Sequence, residues 1–128
     1  MREILFRGKG IDNGEWIEGN YQHFYLKSGE LIIYISDWGK AIEKVIPETV
    51  GQYTGLTDKN GVKVFEGDIV KATDKSVIYF VEYKNGAFML KQKGVDYHIY
   101  FNDLPEKYYC LEIIGNIHDN PELLEVVE

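Results

Sequence analysis

Three histidines, His23, His98 and His118, and one cysteine, Cys110, are the side chains best suited to bind a metal or attack a substrate. A zinc site draws its ligands from short, paired spacings, because one turn then delivers two of them. None of these histidines pairs with another, or with Cys110, at such a spacing, so no metal site is expected. A ligand set assembled from distant parts of the chain is the lesser alternative. Cys110, inside Tyr108-Tyr109-Cys110-Leu111-Glu112, reads as a small buried hydrophobe instead of a nucleophile. Asp58-Lys59-Asn60-Gly61 has the look of a calcium loop, but its glycine comes at the fourth position and Val62 occupies the fifth. It reads as a turn. Asp37, Glu66, Asp68 and Asp103 show no spacing that marks an acid–base pair. The serines are Ser28, Ser36 and Ser76, none in a nucleophile elbow, and no glycine loop for phosphate follows a strand and opens a helix. The expectation is a protein without catalytic residues or a cofactor, and not an enzyme.

One stretch has the makings of a nucleic-acid contact. Tyr83, Lys84, Phe88, Lys91 and Lys93 interleave aromatic and basic side chains, and small barrels bind single strands by stacking bases on aromatics in a basic groove. The bland alternative, core aromatics with solvating lysines, is favoured, because the patch is small and the chain carries a net charge of −7. The charge is unevenly spread: residues 1–46 carry −1, residues 47–100 carry zero and residues 101–128 carry −6. An acidic end disfavours broad contact with phosphate backbones and promotes solubility.

The elements that must position these residues are mostly strands. At 128 residues and 14.8 kDa the chain suits one domain with a sizeable core. A single cysteine permits no intrachain disulfide and suits a reducing compartment. No apolar run is longer than that of Leu31 to Ile35, which has strand length, so no membrane span is expected. Arg7 and Gly8 interrupt the apolar start too early for a signal peptide, which points to the cytoplasm. Tyr, Ile, Val and Gly are abundant, whereas alanine appears only at Ala41, Ala72 and Ala87. Leu31, Ile33 and Ile35 share one face of a strand, and Val77, Tyr79, Val81 and Tyr83 alternate against Ile78, Phe80 and Glu82.

Asn60-Gly61 and Asn85-Gly86 each lie between apolar runs and predict hairpins, with type I′ turns that need positive φ at both central residues. Gly67 and Asp68 predict a tight bend, Gly67 at positive φ and Asp68 capping through its side chain. Short strands at this cadence read as a small barrel or sandwich, closed by Leu111–Ile117 with a break at Gly115. Helix is expected only as a turn or two over Trp38–Lys44 and as a capped terminal helix over Asp119–Leu124, with Pro121 at its first position.

Several runs together carry a resemblance. They are Arg2–Gly8, Gly14–Gly19, Ile46–Leu56, Asp58–Gly61, Phe65–Val70, Val81–Tyr83, Asn85–Phe88, Ile113–Ile117 and Asn120–Leu124. In this order the chain resembles the YopX-like proteins of phages and prophages over essentially its whole length, apart from Tyr21–Lys44. The resemblance implies a small SH3-like barrel core, homo-oligomers and no assigned activity, and it supplies no catalytic residues.

The combined expectation is a mainly β fold: an N-terminal β layer over residues 1–46, a small SH3-like barrel over 47–120 and an acidic tail over 121–128. Its function would be that of a phage accessory protein, a homo-oligomeric binding or scaffold module in the host cytoplasm with a host or phage protein as partner. Trp16, Trp38, Tyr108 and Tyr109 are candidate contact residues. A single-strand nucleic-acid binder is the alternative.

Overall fold

Alternating β-branched and aromatic residues, cut by glycine turns, favour extended chain over helix. The computed structural model describes residues 4–39, 41–72, 77–92, 94, 98–100 and 111–124. They form strands β1 (Phe6–Lys9), β2 (Trp16–Tyr25), β3 (Leu31–Ser36), β4 (Ile42–Val45), β5 (Gly51–Thr57), β6 (Lys63–Phe65), β7 (Asp68–Ala72), β8 (Val77–Lys84), β9 (Ala87–Lys91), β10 (His98–Tyr100) and β11 (Leu111–Asn116). Single 3₁₀ turns at Pro47–Thr49 and Pro121–Leu124 are the only helical segments among the described residues. The chain divides into two compact units, residues 1–53 and 54–128.

In the first unit β1 to β4 form an antiparallel meander, with β5 pairing on the other side of β1. The sheet curls, because β4 returns to the end of β1 through a Gly10–Val45 bridge. Two further bonds hold that seam: Ile11 N–H donates to Lys44 O (2.9 Å), and Ile46 N–H to Lys9 O (2.9 Å). Ile33, Ile35 and Val45 form the core, with Phe6, Ile17, Tyr21, Leu31 and Val50 packed against it. This is the face that the Leu31/Ile33/Ile35 alternation predicts. Curling requires close backbone approach. A Cβ on Gly19 would overlap the Ser36 carbonyl, and one on Gly8 would lie 2.9 Å from Val45 Cγ2.

In the second unit the strand order is β10-β9-β8-β7-β11, all antiparallel. Val64, Val70, Val81 and Leu90 form its core, with Tyr79, Ile99, Leu111 and Ile113 alongside. Ile69 and Val70 point to opposite faces and are both fully buried, so the centre of this sheet is covered on both sides. β6 pairs beside β5 and feeds the Gly67 bend into β7.

Three expectations change. Among the described residues the strands form open antiparallel sheets, not a closed barrel: β10 and β11 end the order on either side. No helix forms over the described part of Trp38–Lys44. Instead Asp37 closes a β3–β4 loop, donating its N–H to Ala41 O (3.0 Å) and accepting the Ala41 N–H on its carboxylate. Such local side-chain bonds compete with helix. Trp38 and Gly39 turn the chain there with φ of 64° and 93°. The terminal helix is a single 3₁₀ turn led by Pro121. The predicted break in β11 is present as a bulge between Ile113 and Gly115, where Asn120 Oδ1 occupies the space of a Cβ.

Candidate functional site

On β8 and β9 the expected contact residues do not converge: Tyr83 and Phe88 lie on one face, Lys84 and Lys91 on the other. The pairs Tyr83–Phe88 and Val81–Leu90 place Tyr83 and Phe88 on the core side, their rings 4.8 Å apart edge to face. Phe88 is 7% exposed and therefore core, while Tyr83 sits at the open rim at 47%. Lys84 and Lys91 belong to the opposite face, with Glu82, whose carboxylate lies 3.9 Å from the Lys91 ammonium. Strict alternation across a two-residue turn thus separates the cations from the rings, and one cation has an acidic neighbour. Lys93, like Tyr108, Tyr109, Cys110 and Asp103, lies outside the described residues.

The predicted turns carry structure. Asn85 and Gly86 take φ of 54° and 80°, as a type I′ turn between Lys84 and Ala87 requires. Gly67 takes φ of 92°, and the buried Asp68 carboxylate accepts the Phe65 N–H at 2.7 Å. At Asn60-Gly61 only Gly61 has positive φ (80°), so this connection is a five-residue loop instead of a type I′ turn. The reason is Asp58, buried at 7% exposure. Its Oδ1 accepts the N–H of Asn60 (2.8 Å) and Val62 (2.9 Å), and its Oδ2 accepts that of Ile113 (3.1 Å). Lys59 N–H adds a bond to Leu111 O (2.9 Å), so the loop covers the edge of β11. Burial alone would raise the Asp58 pKa. The N–H donors of Ile113, Val62 and Asn60, with the Lys59 charge, outweigh it and hold the carboxyl below its ordinary value.

The exposed aromatic surface lies instead on the β2–β3 arm. These strands pair from Asn20–Ser36 out to Tyr25–Leu31, and the tip closes through Leu26 N–H to Glu30 O (2.9 Å). A ladder of rings runs along one face: Phe6 to Tyr21 at 4.9 Å, Tyr21 to His23 at 5.3 Å and His23 to Tyr25 at 6.1 Å. On the other face Phe24 stacks on Tyr34 at 5.9 Å. Tyr25 is 67% exposed, Phe24 47% and Leu26 44%. Residues 21–35 carry only Lys27 and Glu30 as full charges, so the arm is neutral in a chain of −7. On the ladder face the described residues of β1–β4 supply no Lys or Arg, only Glu43. The spacing Tyr21-x-His23-x-Tyr25 is the sequence signal for this ladder, but alternation does not reveal which face stays uncovered.

The two tryptophans differ. Trp16 is half-buried, with the Arg7 guanidinium 4.8 Å from its ring centre. Trp38 is exposed on the β3–β4 loop. Of the histidines, His118 lies beside Gly67. Among the described residues no three His, Cys, Asp or Glu side chains gather as metal ligands, and no helix is long and apolar enough to cross a membrane.

A mainly β fold, with two antiparallel sheets, structured turns and an aromatic arm among the described residues, defines the class. The chain belongs to the YopX protein family, whose model matches residues 5–125. It is similar to the crystal structure of protein EF1440 from Enterococcus faecalis, at 28% identity and a TM-score of 0.60, over 98% of this chain and 100% of that one. The yopX protein of Bacillus subtilis aligns over 100% of both chains, at 14% identity and a TM-score of 0.47. No curated protein matches.

Proposed function

We propose that this protein is a non-enzymatic, phage- or prophage-encoded accessory protein acting in the host cytoplasm as a homo-oligomeric binding or scaffold module. The observation that carries the reading is the β2–β3 arm, with Phe24, Tyr25 and Leu26 exposed at its end. Large, stiff aromatic side chains are enriched in interfaces because they bury much area at little entropic cost. The arm's neutrality supports protein contact over nucleic acid: self-association of a −7 chain is best served by a surface without net charge. The SH3-like character implied for the second unit belongs to this reading, supported by the β7–β10 meander with β11 returning beside β7. A further host or phage protein is the partner of the assembled module.

Light scattering over a range of concentrations tests the proposal. The expected mass is a multiple of 14.8 kDa. A Phe24→Lys, Tyr25→Lys double variant, folded by circular dichroism, should run as a monomer. A wild-type chain that is monomeric at every concentration overturns it. Salt-dependent binding of single-stranded DNA, lost when Lys84 and Lys91 become Ala, would favour the nucleic-acid alternative.

A further inference from the structure

The sequence contains Asn-Gly three times, at Asn13-Gly14, Asn60-Gly61 and Asn85-Gly86, and all six residues are exposed. This dipeptide is prone to one spontaneous reaction, since glycine has no side chain to hinder its own nitrogen. The reaction needs a glycine nitrogen that can lose its proton and an asparagine side chain that can reach it. At Asn13-Gly14 both are occupied: Gly14 N–H donates to Gly10 O (3.0 Å), and Asn13 Oδ1 accepts the Glu15 N–H (2.9 Å). At Asn60-Gly61 the nitrogen is occupied, donating to Asp58 O (3.0 Å), and Asp58 also holds the Asn60 N–H. At Asn85-Gly86 neither restraint is present among the described residues.

The turn geometry adds a second argument. Asn85 has φ of 54°. Closing a five-membered imide between an asparagine side chain and the next nitrogen needs that asparagine's ψ near the value of a type II′ turn, about −120°. Types I′ and II′ both keep positive φ at the first central residue and differ by a flip of the peptide plane between the two. Gly86 accepts the change of sign in its own φ without steric cost. The reactive conformer of Asn85 is therefore one peptide flip from the native one, with the Lys84–Ala87 pair intact.

We propose that Asn85 is a site of selective, fold-directed deamidation. The deprotonated Gly86 nitrogen bonds to Asn85 Cγ, and the bond from Cγ to the side-chain nitrogen breaks. Ammonia leaves, taking its proton from water, and a succinimide remains. Water then opens either imide carbonyl, giving aspartate or isoaspartate at position 85. Each product adds a negative charge next to Lys84. The isoaspartate also lengthens the main chain by one carbon within a two-residue turn, which the present strand register cannot accommodate.

The test is incubation of the full chain at mildly alkaline pH, folded and in denaturant, with peptide mass spectrometry of the three sites. Isoaspartate is read by carboxyl methylation with an isoaspartyl methyltransferase. In the folded chain Asn85 should convert about tenfold faster than Asn13 or Asn60, the rate equivalent of one hydrogen bond broken before attack. In denaturant the three rates should converge. Equal rates in the folded chain overturn the proposal. So does a preference for Asn85 that survives denaturation, or an Asn85 that stays intact while the unfolded chain reacts.

Discussion

Replacing Asp58 by Ala removes a carboxylate that serves three backbone donors at once. Those of Asn60 and Val62 lie in an exposed loop, where water replaces the lost acceptor, so each costs about 0.5–1 kcal/mol. That of Ile113 sits in a half-buried strand, and losing its charged partner costs about 1.5–3 kcal/mol. The sum is about 2.5–5 kcal/mol. For a chain of this size it lowers Tm by about 8–20 °C. Asp58→Asn keeps the shape and one carbonyl acceptor and should lose roughly half as much.

Acid adds a second readout. In the fold the Asp58 carboxyl is held below its ordinary value. Its contribution is therefore fully present above the unfolded pKa and is lost as pH falls through the folded one. The stability gap between wild type and Asp58→Ala should stay constant from neutral pH down to about 5 and then narrow below about 4. Thermal and urea unfolding of both chains from neutral pH down to about 3 measure it. An unchanged Tm, or a gap that does not narrow in acid, refutes the reasoning.

Other substitutions address the remaining packing. Gly19→Ala forces a methyl group into the Ser36 carbonyl and should cost about 3 kcal/mol or prevent folding, read by expression and circular dichroism. At Gly67 a Cβ meets no crowded neighbour, since the nearest atoms are 3.7 Å away, but in Gly67→Val the φ of 92° penalises a β-branched residue. It should lose about 2 kcal/mol in urea titration, more than Gly67→Ala. Ile35→Ala, at the fully buried centre of the first core, should cost about 2–5 kcal/mol by the same assay.

What could be read from the sequence was local. The Asn85-Gly86 hairpin, the positive φ of Gly67, the Asp68 cap and the inward face of Leu31, Ile33 and Ile35 each depend on residues a few positions apart. The separation of Lys84 and Lys91 from Tyr83 and Phe88 was also within reach, because a two-residue turn sets the register of its strands. The rest depends on distance along the chain. Asp58 finds Ile113 across 55 positions, and that contact turns an ordinary Asn-Gly signal into a wider loop. The Gly10–Val45 bridge that curls the first sheet is likewise non-local. The helix expected near Trp38 failed against a hairpin whose second strand, Ile42–Val45, registers on β3. The β2–β3 arm is not legible in the same way, because a strand's aromatic content does not say whether those rings are covered.

The double coverage of β7 has a consequence for how variation can accumulate. In most strands every second position faces water and accepts nearly any residue, so substitution profiles alternate. Four of the five residues of Asp68–Ala72 are buried, including the adjacent Ile69 and Val70, and only Lys71 is partly open. A saturation scan across this strand should show a nearly unbroken block of intolerance, with Lys71 the single permissive column. The tolerant sites of the second unit should then gather at its hairpin tips.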